Sequence, residues 1–212
     1  MYRKLKVYFI LLCLIFIPFN LDAQDYSEVM KPNLSIWPAQ EYILEIDNAM
    51  VAEGGSHIQY YGKHKLKLET SIGEISNCVI YHFNEENLKV YIILNDQKMY
   101  MENILSYDEF FETNDAVSSL LYNNLPGEDM AMYGAEKIGE ENFLNRKVER
   151  WSFIDSSKGD TVIIDMLLDR ELRQIMKMWV DEKIIFEVTK ITIGNIPDEM
   201  FNPPNNFEAM SY

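Results

Sequence analysis

The sequence predicts a mainly antiparallel β protein with a helical insertion, in which a curved sheet wraps around one or two helices. Three observations carry that expectation. Residues 159–193 alternate apolar and polar side chains over three consecutive runs. Five or six shorter runs of the same kind lie between Glu41 and Leu105. A single stretch of helical period separates the two groups, and strands that must each bury one face need something to bury it against.

The C-terminal runs are the clearest. Val162, Ile164, Met166 and Leu168 alternate with Thr161, Ile163, Asp165 and Leu167. Met176, Met178 and Val180 alternate with Lys177, Trp179 and Asp181. A strand repeats every two residues, so each set shares a face. In the third run Phe186 and Val188 are in phase, but Ile191 and Ile193 fall in the other set, and a β-bulge near Thr189–Lys190 restores the phase.

The chain opens with Arg3, Lys4 and Lys6, an apolar run from Val7 to Phe19, and a small residue at Ala23. This reads as a signal peptide over residues 1–23, too short for a membrane span. Cys13 lies inside the apolar run and no cysteine stands at the cleavage point, so no lipid anchor is expected. The expected product is exported, periplasmic or secreted, with residues 24–212 forming one domain and no transmembrane segment in the mature chain. It carries 16 basic and 33 acidic residues, a net of −17. That balance repels phosphates and argues against nucleic acid as a partner. Cys78 is then the only cysteine, so the fold holds without an internal disulfide and Cys78 is expected as a buried thiol on a strand.

In order, Gln24 to Gln40 is a leader broken by Pro32 and Pro38, with Trp37 expected to anchor it over a sheet edge. Tyr42, Leu44 and Ile46 begin the β pattern. Gly54-Gly55-Ser56 is a turn. Ile58, Tyr60, Leu66 and Leu68 share one parity, with Gly62 read as a bulge or bend. Strands are expected over residues 78–83, 88–94 and 98–102, with hairpin loops at Asn84–Asn87 and Asn95–Gln97. Ser106-Tyr107-Asp108-Glu109 fits a capping box, and the helical period runs to about Asn123, with Phe110, Phe111, Val117, Leu120 and Leu121 on one side. Strands return over residues 136–140 and 146–153, with a turn at Glu141-Asn142 between them.

Three stretches carry a family resemblance. Gly139-Glu140-Glu141-Asn142-Phe143 leads into a strand reaching Trp151. Leu168 to Lys177 resembles a "W-x-D-x-x-L-x-x-P-x-K" pattern, with Met166 where tryptophan is usual and Ile175 where proline is usual. Gly194-Asn195-Ile196-Pro197-Asp198-Glu199-Met200-Phe201-Asn202-Pro203-Pro204 resembles a closing "G-x-x-P-D-x-x-F-x-x-P". The chain resembles the LolA/LolB-like periplasmic lipoprotein carriers and their exported relatives over about a third of its length. The resemblance implies an open half-barrel over helices with an apolar cavity between them, which in the carriers takes acyl chains. The carriers' gating arginine matches no residue here, so carrier function itself is not implied.

No catalytic constellation is expected. His57, His64 and His82 lie on separate runs and read as scattered surface histidines; there is no HExxH, CxxC, calcium loop or G-x-S-x-G. No enzyme activity, metal or cofactor is expected. Eleven methionines remain after the signal, and flexible thioethers suit adaptable apolar sites as well as irregular cores. The expected function is a non-enzymatic binding protein taking an acyl chain or other apolar ligand. Its candidate ligand-binding residues are Leu44, Ile46, Leu66 and Leu68 from the first half and Phe110, Leu120 and Leu121 from the helical stretch. Trp151, Ile164, Met166 and Met176 complete the set from the second half. The alternative is a cell-envelope interaction module with a filled core, whose partner is another protein.

Overall fold

A computed structural model describes residues 34–48, 55–107, 134–155 and 161–210. Twelve strands form one sheet. They are β1 (Tyr42–Asn48), β2 (Ser56–Gly62), β3 (Lys65–Ile72), β4 (Ile75–Phe83), β5 (Leu88–Leu94), β6 (Met99–Leu105), β7 (Glu136–Phe143), β8 (Arg146–Asp155), β9 (Val162–Asp169), β10 (Gln174–Val180), β11 (Lys183–Ile193) and β12 (Glu208–Ala209). Their order is β12-β6-β5-β4-β3-β2-β1-β11-β10-β9-β8-β7. Two meanders, β1 to β6 and β7 to β11, are joined where β1 pairs with β11, and every pairing is antiparallel except the short parallel contact of β12 with β6.

This corrects the expected fold class. The sheet is not wrapped around one or two helices: the helical elements among the described residues are three short 3-10 turns, at Leu34–Ile36, Asn95–Gln97 and Asp198–Phe201. The expected helical stretch lies, from Asp108 onward, outside the described residues, as does the expected signal peptide. What buries the outer face of the first meander is the chain's own tail after β11. Ile196, Met200, Phe201 and Phe207 pack with Cys78, Ile80, Ile93, Tyr60, Tyr91 and Tyr100. The tail then adds β12 at the β6 edge. Phe201 is 1 % exposed and lies so close to Gly62 that a Cβ there would stand 2.6 Å from its ring. Gly62 is therefore the end of β2 at a close approach, not a bulge, and the turn is the pair Lys63-His64.

Other local expectations resolve similarly. Across β1 and β11, Glu45 opposes Lys190 and Ile46 opposes Val188, so Thr189 is the extra residue of the expected bulge. A second irregularity falls at Met176, between the pairs Ile175–Leu168 and Lys177–Leu167. The expected turn at Glu141-Asn142 is instead at Leu144-Asn145, with φ of 49° and 61°. Asp181-Glu182 turns β10 into β11 with φ of 47° and 67°. Both have the positive φ at two central positions that a type I′ hairpin requires, without glycine to signal it. Among the described residues, no helix is long and apolar enough to cross a membrane.

Candidate functional site

Residues directly opposite in an antiparallel pair share a face, so the register maps one face of the sheet from end to end. Leu44 opposes Gln59, Gln59 opposes Leu68, Leu68 opposes Val79, and Val79 opposes Ile92. On the other side Ile46 opposes Val188, while Phe186 opposes Met178, Met178 opposes Met166, and Met166 opposes Trp151. Two separate apolar clusters line the sheet: the larger is centred on β1 to β5 and takes in Val148, Leu167 and Met176, and the second holds Trp151, Phe153, Ile164, Met166 and Leu168. Because Leu167 alternates with Met166 and Leu168 along β9, the two clusters meet that strand from opposite faces. Off the sheet, the described residues packed with the larger cluster are Leu34, Trp37, Tyr107 and Leu172.

Of the candidate ligand-binding residues from the sheet, Leu44, Ile46, Leu66, Leu68 and Met176 belong to the larger cluster and Trp151, Ile164 and Met166 to the second. Leu44, Leu66, Met166 and Met176 are fully buried; Ile46, Ile164 and Trp151 are buried; Leu68 is half-buried. Phe110, Leu120 and Leu121 lie outside the described residues. Trp151 donates from Nε1 to Glu149 at 3.1 Å. Trp179 opposes Asp165 and Ile184, is half-buried, and takes Lys177 over its ring at 5.1 Å.

The sequence reading missed a polar file in the middle of this face. His57, Gln59 and Tyr61 are alternate residues of β2 and all are buried. This corrects the reading of His57 as a surface histidine: it is 2 % exposed. Tyr61 OH donates to Gln59 Oε1 at 2.5 Å. Gln59 Nε2 lies 2.9 Å from His57 Nε2, and His57 Nδ1 lies 2.8 Å from Thr70 Oγ1. An amide nitrogen can only donate, so His57 Nε2 accepts and the ring is neutral with its proton on Nδ1. Burial pushes its pKa down to about 4. Beside the file, the Tyr42 and Tyr61 rings stack at 4.4 Å, and Tyr42 OH donates to the carbonyl of Leu172 at 2.9 Å. Burial raises both tyrosine pKa values. None of these groups is poised to ionise near neutrality. The available signal was the i, i+2, i+4 spacing of His57, Gln59 and Tyr61 opposite Ile46, Leu44 and Tyr42.

Two ion clusters brace the far end. Asp169, 1 % exposed, pairs with the Arg146 guanidinium, and its Oδ1 accepts from the backbone N–H groups of Glu171 and Leu172 at 2.9 Å each. Glu149 takes Arg170 through both carboxylate oxygens, at 3.0 and 3.2 Å, and Lys137 at 2.9 Å. Burial works to raise the Glu149 pKa, but hydrogen bonds from Arg170, Lys137 and Trp151 outweigh it and hold the value at about 2. Every strong partner here is intramolecular, so the carboxylates act as braces. Among the described residues no group of His, Cys, Asp and Glu could hold a metal ion. Cys78 is buried, and burial pushes its thiol up to about 12.

At one end of the inner face a groove of about 1110 Å³ opens to solvent. Its floor includes Leu34, Trp37 and Phe83, all packed in the inner-face cluster. Its rim is polar, with Gln40, Glu41, Lys63, His64, Asn84, Glu85 and Asn195. Trp37 is held by Nε1 donating to Gly62 O at 2.8 Å, with Phe83 at 5.1 Å and the His64 ring edge-on at 6.0 Å. Glu41 ties the wall: its carbonyl accepts from Gly194 N at 3.1 Å and its Oε2 from Ile196 N at 2.7 Å.

No protein-family model and no curated protein matches the chain. Among solved structures, an uncharacterised conserved protein from Thermus thermophilus is similar over 80 % of this chain and 89 % of its own, with 8 % identity and a TM-score of 0.46. PNGF-II is similar over 81 % of this chain and 31 % of its own, with 10 % identity and a TM-score of 0.45. Likenesses this weak carry no inference about either function or fold.

Proposed function

We propose that this is an exported, non-enzymatic binding protein whose inner sheet face receives an acyl chain or another apolar ligand. The observation that carries the reading is the extent of apolar cross-strand pairing over the sheet. Apolar side chains run from Ile92 on β5 through Val79 to Leu68 and, beyond the polar Gln59, from Leu44 through Val188, Phe186 and Met178 to Met166 and Trp151. The resemblance of Leu168 to Lys177 and of Gly194 to Pro204 to the lipoprotein-carrier family points to the same ligand class. Burying one methylene contributes about 0.8 kcal/mol, so a long chain offsets its ordering costs. The three methionines Met166, Met176 and Met178 on two adjacent strands suit a flexible apolar guest.

A second reading is the interaction module. It is favoured by Ile154 and Ile163, which face each other across β8 and β9 and are 62 % and 50 % exposed. Such a pair suits a protein contact, and the inner face would then be a filled core. Ile164→Trp and Met166→Trp separate the two. A face that accommodates ligand tolerates added bulk, so both variants keep nearly the wild-type Tm and lose uptake of a fluorescent fatty acid. A filled core predicts about 1–3 kcal/mol of destabilisation in both and no uptake by the wild type.

A further inference from the structure

We propose that the groove between residues 34–41 and the Lys63-His64 turn is the entrance to the inner face, and that Trp37 is its plug. The inference rests on the binding reading above and adds the route and the shape of ligand. Trp37 and Phe83 belong at once to the groove floor and to the inner-face cluster, so the groove and that face share side chains. Trp37 is 7 % exposed, at the place where the groove meets that cluster. Its tie to the sheet is narrow: one hydrogen bond to Gly62 O and ring contacts with Phe83 and His64. Swinging the ring out gives up that hydrogen bond and the burial of the indole, so the open form is a minor state through which uptake passes. The rim differs in chemistry from the floor: Gln40, Lys63, His64 and Glu85 offer charge and hydrogen bonds where the groove meets water. The ligand this fits is a single-chain amphiphile, with its tail passing Trp37 and Phe83 and its polar head remaining at the rim.

The test is stopped-flow uptake of a fluorescent fatty acid by the full mature chain. Trp37→Phe keeps an aromatic plug but removes the donor to Gly62 O, and uptake becomes about 3- to 10-fold faster. Ala39→Trp adds bulk at an exposed position on the groove wall, and uptake slows with no change in Tm or amplitude. Uptake by the wild type at a rate that neither substitution changes overturns the entrance while leaving the binding reading intact. Absence of uptake by the wild type overturns the binding reading and the entrance together.

Discussion

Asp169→Ala is expected to lower stability by about 3–5 kcal/mol, or roughly 10 °C in Tm for a domain of this size. Asp169 does two jobs at the β9–β10 turn. Its charge partners Arg146, and its Oδ1 closes the turn on the N–H groups of Glu171 and Leu172. Alanine leaves a partly buried guanidinium with only Glu171 and strands two amide donors, one of them buried. The turn also presents Leu172, which is 1 % exposed and whose carbonyl accepts from Tyr42 OH, so the loss reaches β1. Asp169→Asn separates the two contributions: it removes the charge but keeps an oxygen for the two amides, and destabilises less than alanine does. Urea denaturation of the three proteins checks the order. Equal stability of Asp169→Ala and wild type would refute the brace.

Acidification is expected to cost stability through His57 alone by about 3 kcal/mol between pH 7 and pH 4. The ring is neutral in the fold, with its pKa lowered from 6.5 to about 4 by burial. In that window the unfolded chain binds a proton that the native ring refuses, so stability falls as pH falls through 6.5 and levels off below about 4. Burial is the cause, since a charged ring would sit away from water. A proton on Nε2 also meets the Gln59 amide N–H, so protonation requires that amide to turn and Tyr61 OH to accept from its nitrogen while donating to Gln174 Oε1, 3.2 Å away. His57→Gln removes the titrating group, so the slope of unfolding free energy against pH over 4–6.5 flattens relative to wild type. Parallel slopes for the two proteins would contradict the assignment.

What could be read from residues alone depended on whether a strand buries one face or two. On β9, Ile164, Met166 and Leu168 are buried as alternation places them and Ile163 is exposed, but Leu167 of the alternate set is 2 % exposed, so the end of this strand buries both faces. On β2 both faces are lined: His57, Gln59 and Tyr61 inside, and Tyr60 and Gly62 under the tail with Phe201 outside. Alternation carries little there, which is why Ile58 and Tyr60 were grouped with Leu66 and Leu68, although the register pairs Leu66 with Tyr61 and Leu68 with Gln59. The same holds for β4, where Cys78 and Ile80 are as buried as Val79 and Tyr81. The tail was illegible as a cover because Ile196, Phe201 and Phe207 follow neither a strand nor a helix period. The groove was illegible because its walls come from separate places in the chain, brought together only by the pairing of β1 with β11.

The most direct measurement of the central claim is organic extraction of the protein, expressed from the full sequence and purified without detergent, followed by mass spectrometry. An apolar guest on the inner face predicts a near-stoichiometric acyl-chain species in the wild-type extract that is strongly reduced in the Ile164→Trp extract. A wild-type extract with no such species, from protein that is folded and melts cooperatively, would contradict it.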